Sequence, residues 1–251
     1  MLYKDLQLTF ILGNWQTVVV FFKKAIKKKE GFVCLPCSLN DLTYKEIEPY
    51  RSNYQSVDYC TADGMPLVIY FQHLKKIGKL DRIYGADLMK KILQETQQEN
   101  HFFCGTTPET LKKLEKKIVE YCPDIKSLST YSPPFAEVQI FQEKLLEKLK
   151  KQSTNILWIG LSSPKQIILA SYIKKNLPNL KIFCVGAAFD FLSGQKKRAP
   201  KILQKLALEW LYRLIQEPVR LSERYLYRIP IFLLKKFGKL LKKLLFKNTE
   251  V

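Results

Sequence analysis

Ile156-Leu157-Trp158-Ile159-Gly160-Leu161-Ser162-Ser163-Pro164-Lys165-Gln166 decides how the chain is read. Four apolar residues, too few for a helix, stop at a glycine. A polar turn holding a proline follows, and Lys165–Lys175 then carries a helical pattern. So short an apolar run fits a strand buried on both faces, as in a parallel sheet covered by helices. The same grammar recurs along the chain. Leu6–Leu12, Phe32–Leu35, Tyr59–Thr61, Arg82–Tyr84, His101–Cys104 and Lys181–Val185 read as further short strands. Ala86–Gln98 places Leu88, Met89, Ile92 and Leu93 on one face, and Thr107-Pro108 opens a helix carrying Leu111, Leu114 and Ile118. Phe135–Lys151 reads as one more helix. Trp15–Lys29 fits either state: its β-branched run argues for a strand, its length and basic end for a helix.

Strands alternating with helices predict an α/β fold with a mostly parallel, Rossmann-like sheet and helices on both faces. Ligands of such sheets bind beyond the carboxyl ends of the strands. The residues found there are Asp63-Gly64, Gly85-Ala86-Asp87, Gly105-Thr106-Thr107, Gly160 with Lys165-Gln166, and Gly186 with Asp190. Glycine lets backbone approach a ligand, and helix N-termini attract phosphate. Five such turns together point to a phosphorylated ligand such as a nucleotide. Neither a P-loop nor a G-x-G-x-x-G is present, so ATP hydrolysis and a dinucleotide fingerprint are unsupported.

The 251 residues hold 42 Lys and Arg against 23 Asp and Glu, a net charge of +19. At 47% apolar and 26% charged, the chain is neither disordered nor fibrous. The charge is uneven: residues 195–251 carry 15 Lys/Arg and 4 Glu, a net of +11. Domains are expected at 1–195 and 196–251, a core and a basic helical C-terminal appendage. Six cysteines are scattered. Cys34-Leu35-Pro36-Cys37 lacks a second pair or a nearby His, and it reads as the apolar end of a strand rather than a zinc or redox site. His73 and His101 stand alone and read as structural. Met1–Gln7 is short and mixed, without a secretory pattern, so a reduced, cytoplasmic chain is expected.

Several separated stretches then match one family in order. They are Thr61-Ala62-Asp63-Gly64-Met65-Pro66-Leu67-Val68, Arg82-Ile83-Tyr84-Gly85-Ala86-Asp87-Leu88-Met89, Ser132-Pro133-Pro134-Phe135 and Ser163-Pro164-Lys165-Gln166. Val185-Gly186-Ala187-Ala188-Phe189-Asp190-Phe191-Leu192-Ser193-Gly194 follows, then Lys197-Arg198-Ala199-Pro200, Leu208-Glu209-Trp210-Leu211-Tyr212-Arg213-Leu214, and Glu217-Pro218 with Arg220. This set resembles the WecG/TagA/CpsF glycosyltransferases over residues 30–230. The resemblance implies inverting transfer of N-acetylmannosamine, or a related hexose, from a UDP-sugar to a sugar on a polyprenyl diphosphate. That step belongs to teichoic acid, enterobacterial antigen or exopolysaccharide assembly at the cytoplasmic membrane face. It implies Asp63 as the base, no cofactor and no bound metal. It also implies an appendage that touches the membrane and supplies arginines to the active site.

The residues suit that chemistry. Inverting transfer needs one base for the acceptor hydroxyl and positive charge for the leaving diphosphate. Asp63, at a strand end, fits the base; an Asx-turn is its plain alternative. Arg213, Arg220, Arg224 and Arg228 are spaced to share one helical face, and the first three are candidate catalytic residues. Arg213 and Arg220 match the family pattern, whereas Glu223 stands where a further Arg is often found and Arg224 is its candidate replacement. Lys165 and Gln166 are candidates for sugar or phosphate, and Asp190 for uracil or ribose. Ser38 and Asn40 stand where family members carry Thr and Asn or His, and Ile167 replaces the usual acidic residue.

At the end of the chain, Lys235, Lys236, Lys239, Lys242 and Lys243 fall within roughly 120° of helical arc, and Leu and Phe fill the rest. That is the pattern of an interfacial helix on anionic lipid, placed at residues 231–247. No apolar run reaches the ~20 residues of a membrane span. A UDP-glucose or N-acetylmannosaminuronate donor on the same fold, and a non-enzymatic basic protein on membrane or nucleic acid, are the competing readings. Nucleic acid is disfavoured, since only Tyr225 and Tyr227 lie among basic residues. The oligomeric state stays open, a homo-oligomer among the options.

Overall fold

The computed structural model describes residues 1–236; the sequence from 237 on, with most of the 231–247 segment, lies outside the described residues. The chain forms two units, Met1–Arg198 and from Ala199 onward.

The first unit is built in this order: β1 (Leu2–Asp5), β2 (Leu8–Ile11), α1 (Trp15–Ile26), β3 (Phe32–Cys37), α2 (Leu39–Lys45), α3 (Tyr50–Tyr54), β4 (Tyr59–Ala62), α4 (Met65–Ile69), α5 (Gly85–Glu95), β5 (Asn100–Gly105), α6 (Pro108–Tyr121), β6 (Ser127–Tyr131), α7 (Gln142–Lys151), β7 (Ile156–Gly160), α8 (Lys165–Asn176), β8 (Lys181–Cys184) and α9 (Ala188–Leu192). The eight strands form one sheet in the order β1-β2-β4-β3-β8-β7-β5-β6. All pairings are parallel except β1 with β2. The expected α/β architecture is present.

The strands read as unbroken apolar runs because both faces are covered. Alternate residues supply each side: Phe32, Cys34, Phe103, Trp158 and Phe183 join a core with α1, α5, α6 and α9. On that face Phe183, Trp158 and Phe103 stack across β8, β7 and β5, the first pair with ring centroids 4.6 Å apart. Val33, Leu35, Phe102, Leu157 and Ile182 are equally buried on the other face, where α2, α3, α7 and α8 pack on one another. Trp15–Ile26 resolves as a helix, since Asn14 Oδ1 caps the Thr17 N–H at 2.9 Å and Val18 and Phe22 turn inward.

In the first unit three expectations need correction, and one strand was missed. Arg82–Tyr84 is not a strand. Both edges of β4 are already paired, with β2 and β3, so this segment crosses the end of β4 through single bonds, Ile83 N–H to Ala62 O at 3.0 Å and Thr61 Oγ1 to Ile83 O at 3.0 Å. Leu6–Leu12 is the second half of a hairpin, with Leu6 and Gln7 at its tip. Phe135–Lys151 is a loop, a 3-10 turn at Val138–Ile140 and then α7. Ser127–Tyr131, unread in the sequence, is the outer strand β6.

The second unit holds α10 (Lys201–Lys205), α11 (Glu209–Gln216), α12 (Pro218–Ser222) and a π-helical stretch, Glu223–Arg228. Helical conformation continues through residues 229–236. Glu217, at φ −135° and ψ 61°, breaks the helix before Pro218, which has no N–H to continue it. Arg213 and Arg220 therefore lie on different helices, and the single arginine face expected from the spacing does not form. Arg220 binds Glu217 through Nε and a terminal nitrogen, at 2.7 and 2.8 Å, and Arg228 pairs with Glu223 at 2.7 Å. Among the described residues, no helix is long and apolar enough to cross a membrane.

Candidate active site

Every parallel strand of the sheet points its carboxyl end to one edge, and the candidate residues of the first unit line up along it. β5 continues outward to β6, whereas β7 continues inward to β8, so the connections diverge between the neighbours β5 and β7. Such a switch point opens a crevice at the strand ends. From β4 to β5 the row spans four strand spacings, about 19 Å, enough for an extended sugar nucleotide.

At the crevice Gly105 faces Gly160 in register. Gly105 has φ +146°, and a Cβ there would lie 2.6 Å from the Gly160 carbonyl oxygen, so no other residue fits without moving β7. The chain then turns through Thr106, whose Oγ1 donates to Asp190 Oδ1 at 3.3 Å, and whose carbonyl accepts from Ser132 Oγ at 2.7 Å. Asp190 is also paired with Lys196 at 3.0 Å. The structure thus joins Gly105, Thr106, Gly160 and Asp190 in one corner.

At the β4 end, the Asp63 N–H donates to the Cys37 carbonyl at 3.0 Å, which fixes the start of the turn against β3. Arg82 holds the residue from the other side: its Nε donates to the Asp63 carbonyl oxygen, and a terminal nitrogen lies 3.6 Å from the carboxylate. Gly64 caps α4 in ordinary extended backbone. The Tyr84 ring carries two guanidiniums, Arg198 at 4.1 Å and Arg82 at 5.0 Å from its centroid. Arg198 also pairs with Asp87 at 3.1 Å. Burial, then the Asp87 carboxylate, pushes the Tyr84 hydroxyl above its ordinary pKa, so it stays a neutral phenol between two cations. Gly85 serves packing, since a Cβ there would meet the Val185 carbonyl oxygen at 2.7 Å.

Between these corners lie the ends of β3, β8 and β7. Ser38 caps α2, and its N–H and Oγ both donate to Asp41 Oδ2, at 2.9 and 2.7 Å. Asn40 is buried, and its Oδ1 has no hydrogen-bond partner among the described residues. Gln166 is buried on the first turn of α8; its Oε1 accepts from the Gly186 N–H at 3.1 Å and its Nε2 donates to Ser163 Oγ at 2.8 Å. Lys165 faces the loop after β6: its Nζ donates to the Ala136 carbonyl at 2.9 Å and pairs with Glu137 at 3.1 Å.

Three contributors escaped the sequence reading as site residues: Asp41, Arg82 and Arg198. Arg82 and Arg198 stood inside quoted motifs, and that was their available signal. Cys34 and Cys37 lie wholly buried in β3, and all six cysteines are free thiols. Burial raises the Cys34 thiol well above its usual pKa; a hydrogen bond that Cys37 donates to Cys60, then burial, does so for Cys37. Neither is an accessible nucleophile.

A row of glycine turns at a switch point, a carboxylate braced by arginine and buried polar side chains at neighbouring strand ends together mark this edge of the sheet as the candidate site. The model of the glycosyl transferase WecG/TagA/CpsF family matches residues 4–247 of the 251, and the chain belongs to that family.

Proposed function

We propose that this glycosyltransferase of cell-surface polysaccharide synthesis moves an N-acetylmannosamine-like hexose from a UDP-sugar to a sugar on a polyprenyl diphosphate, with inversion. The observation that carries the reading is Asp63, held at the end of β4 by the Cys37 carbonyl and by Arg82. In this reading the Asp63 carboxylate takes the proton of the acceptor hydroxyl as its oxygen attacks the anomeric carbon. The bond from that carbon to the diphosphate oxygen breaks on the opposite face, and UDP leaves. Arg82 and Arg198 balance the growing charge on the diphosphate, the role that a divalent metal fills elsewhere, and the reaction needs no bound metal. Gly105, Thr106, Gly160, Gln166, Gly186 and Asp190 hold the nucleotide; Ser38 and Asn40 face the sugar side. Arg213, Arg220 and Arg224 add cationic charge needed for turnover. The enzyme works at the inner face of the cytoplasmic membrane, held peripherally.

The test is Asp63→Asn with a panel of UDP-sugars and a lipid-diphosphate acceptor, in EDTA, with product mass measured. Transfer by the wild type should persist in EDTA. The variant should lose 10²–10⁴-fold in rate, the usual worth of a general base, while binding UDP as the wild type does. Near-normal turnover by a folded Asp63→Asn protein removes the assignment.

A further inference from the structure

We infer that Asp41 is a positioning residue for the sugar nucleotide, acting through Ser163 on the carboxamide of Gln166. This rests on the functional reading above and names a device within that site.

The four groups form one chain of hydrogen bonds. The Gly186 N–H donates to Gln166 Oε1 at 3.1 Å, Gln166 Nε2 donates to Ser163 Oγ at 2.8 Å, and Ser163 Oγ donates to Asp41 Oδ1. Its direction is not free. A backbone N–H can only donate and an ionised carboxylate can only accept, so the two ends fix every proton between them. The carboxamide must present oxygen to Gly186 and nitrogen to Ser163. If it flips, two N–H groups face each other in a buried place. Asp41 and Gln166 are both only 4% exposed, so water cannot make good the loss cheaply.

Capping alone does not explain this geometry. A capping box needs one carboxylate oxygen returned to the N-cap N–H, and Asp41 Oδ2 already serves Ser38 in that way. The second oxygen reaches Ser163, 122 residues further along the chain. One carboxylate thereby ties together the loops after β3 and β7 and the Gly186 turn after β8, three adjacent strand ends of the site. Gln166 and Gly186 are the groups offered to the donor; Asp41 determines how they are offered.

Asp41→Asn separates relay from cap. The asparagine oxygen can still accept from Ser38, but its NH2 group then faces Ser163, whose hydroxyl loses its acceptor. Calorimetric titration with UDP should show about tenfold weaker binding, the order expected when a hydrogen bond to a charged group is lost. At saturating donor, kcat should fall by less than about threefold while the donor KM rises with Kd, the split expected when binding is lost equally from ground and transition states. Ser163→Ala should reproduce the loss, and the double variant should be no weaker than either single one, because both changes cut the same relay. Ser163→Ala also stands in should Asp41→Asn fail to fold. A purely structural Asp41 would lower thermal stability and leave UDP affinity within twofold of wild type in the folded variants; that outcome overturns the inference. Gln166→Ala separates the two levels. If it weakens UDP binding while Asp41→Asn and Ser163→Ala do not, the relay falls and the functional reading stands. If the wild type binds no UDP, both fall.

Discussion

His101 shows how far one side chain's environment dictates its chemistry. Its Nδ1 accepts from the Trp158 indole N–H at 3.1 Å, so the proton must sit on Nε2, which donates to the Thr96 carbonyl at 2.8 Å. The imidazole is 1% exposed, and burial lowers its pKa from 6.5 to about 4 despite that carbonyl. The fold therefore holds the neutral form, and the unfolded chain takes up a proton first on acidification. The stability that His101 contributes is complete above pH 6.5 and is lost as pH falls from 6.5 towards 4, a change on the order of 3 kcal/mol. Denaturant melts across that window should fall more steeply for the wild type than for His101→Gln, which cannot take the proton. Parallel curves would exclude His101 as the source. Its isolation in the sequence read correctly as structural. Asp41, by contrast, was invisible: its partner Ser163 lies 122 residues away, and only the adjacency of β3, β8 and β7 brings them together.

Elements were legible where burial was symmetric and illegible where it was not. The inner strands β3, β5, β7 and β8 announced themselves as apolar runs because helices cover both faces. β6 pairs only with β5 and is half-buried along its length, so Ser127-Leu128-Ser129-Thr130-Tyr131 carries no apolar run to read. The β1–β2 hairpin hid for a different reason. Its two-residue turn puts Leu6 at φ 51° and Gln7 at φ 56°, the left-handed geometry for which Asn-Gly is the usual signal. A leucine in that region costs roughly 1–2 kcal/mol, and Asp5 Oδ1, accepting the Leu6 N–H at 2.8 Å, helps to hold it there. Leu6→Asn should therefore stabilise the protein by about 0.5–1 kcal/mol, read as a higher denaturation midpoint at unchanged slope. A lower midpoint would mean that the leucine side chain contributes more than its backbone costs. At the site, the glycine turns were read at all five places, but two carry no evident need for a ligand: Gly85 answers to the Val185 carbonyl, and Gly64 adopts backbone that other residues share. Strand ends locate a site; contacts across the sheet decide what each residue there does.

For the whole molecule the unequal distribution of charge matters most. Residues 195–251 hold +11 of the +19. The second unit also keeps large apolar side chains at its surface: Val219 is 95% exposed, and Leu226 and Leu234 are exposed as well. Apolar surface beside dense positive charge suits the interface of an anionic bilayer, where burial and lipid headgroups act together. The sequence from Leu233 onward extends both features through alternating Lys and Leu pairs. Deleting residues 231–251 should therefore release the protein from phosphatidylglycerol-containing vesicles in a flotation assay. The five lysines at 235, 236, 239, 242 and 243 together contribute roughly 5 kcal/mol near such a surface at about 1 kcal/mol each, and screening should erode wild-type binding as salt rises. The first unit has its own sheet and core, so this truncation should stay folded and turn over a water-soluble acceptor analogue. Cutting back to residue 212 removes Arg213, Arg220 and Arg224 as well, and turnover should then fail even on that analogue. If the shorter chain keeps full turnover, the second unit serves only attachment, and the charge balancing the diphosphate comes from Arg82 and Arg198 alone. If the longer truncation still floats with the vesicles, the membrane contact lies elsewhere, and the Lys and Leu pairs at the end of the chain are not the anchor.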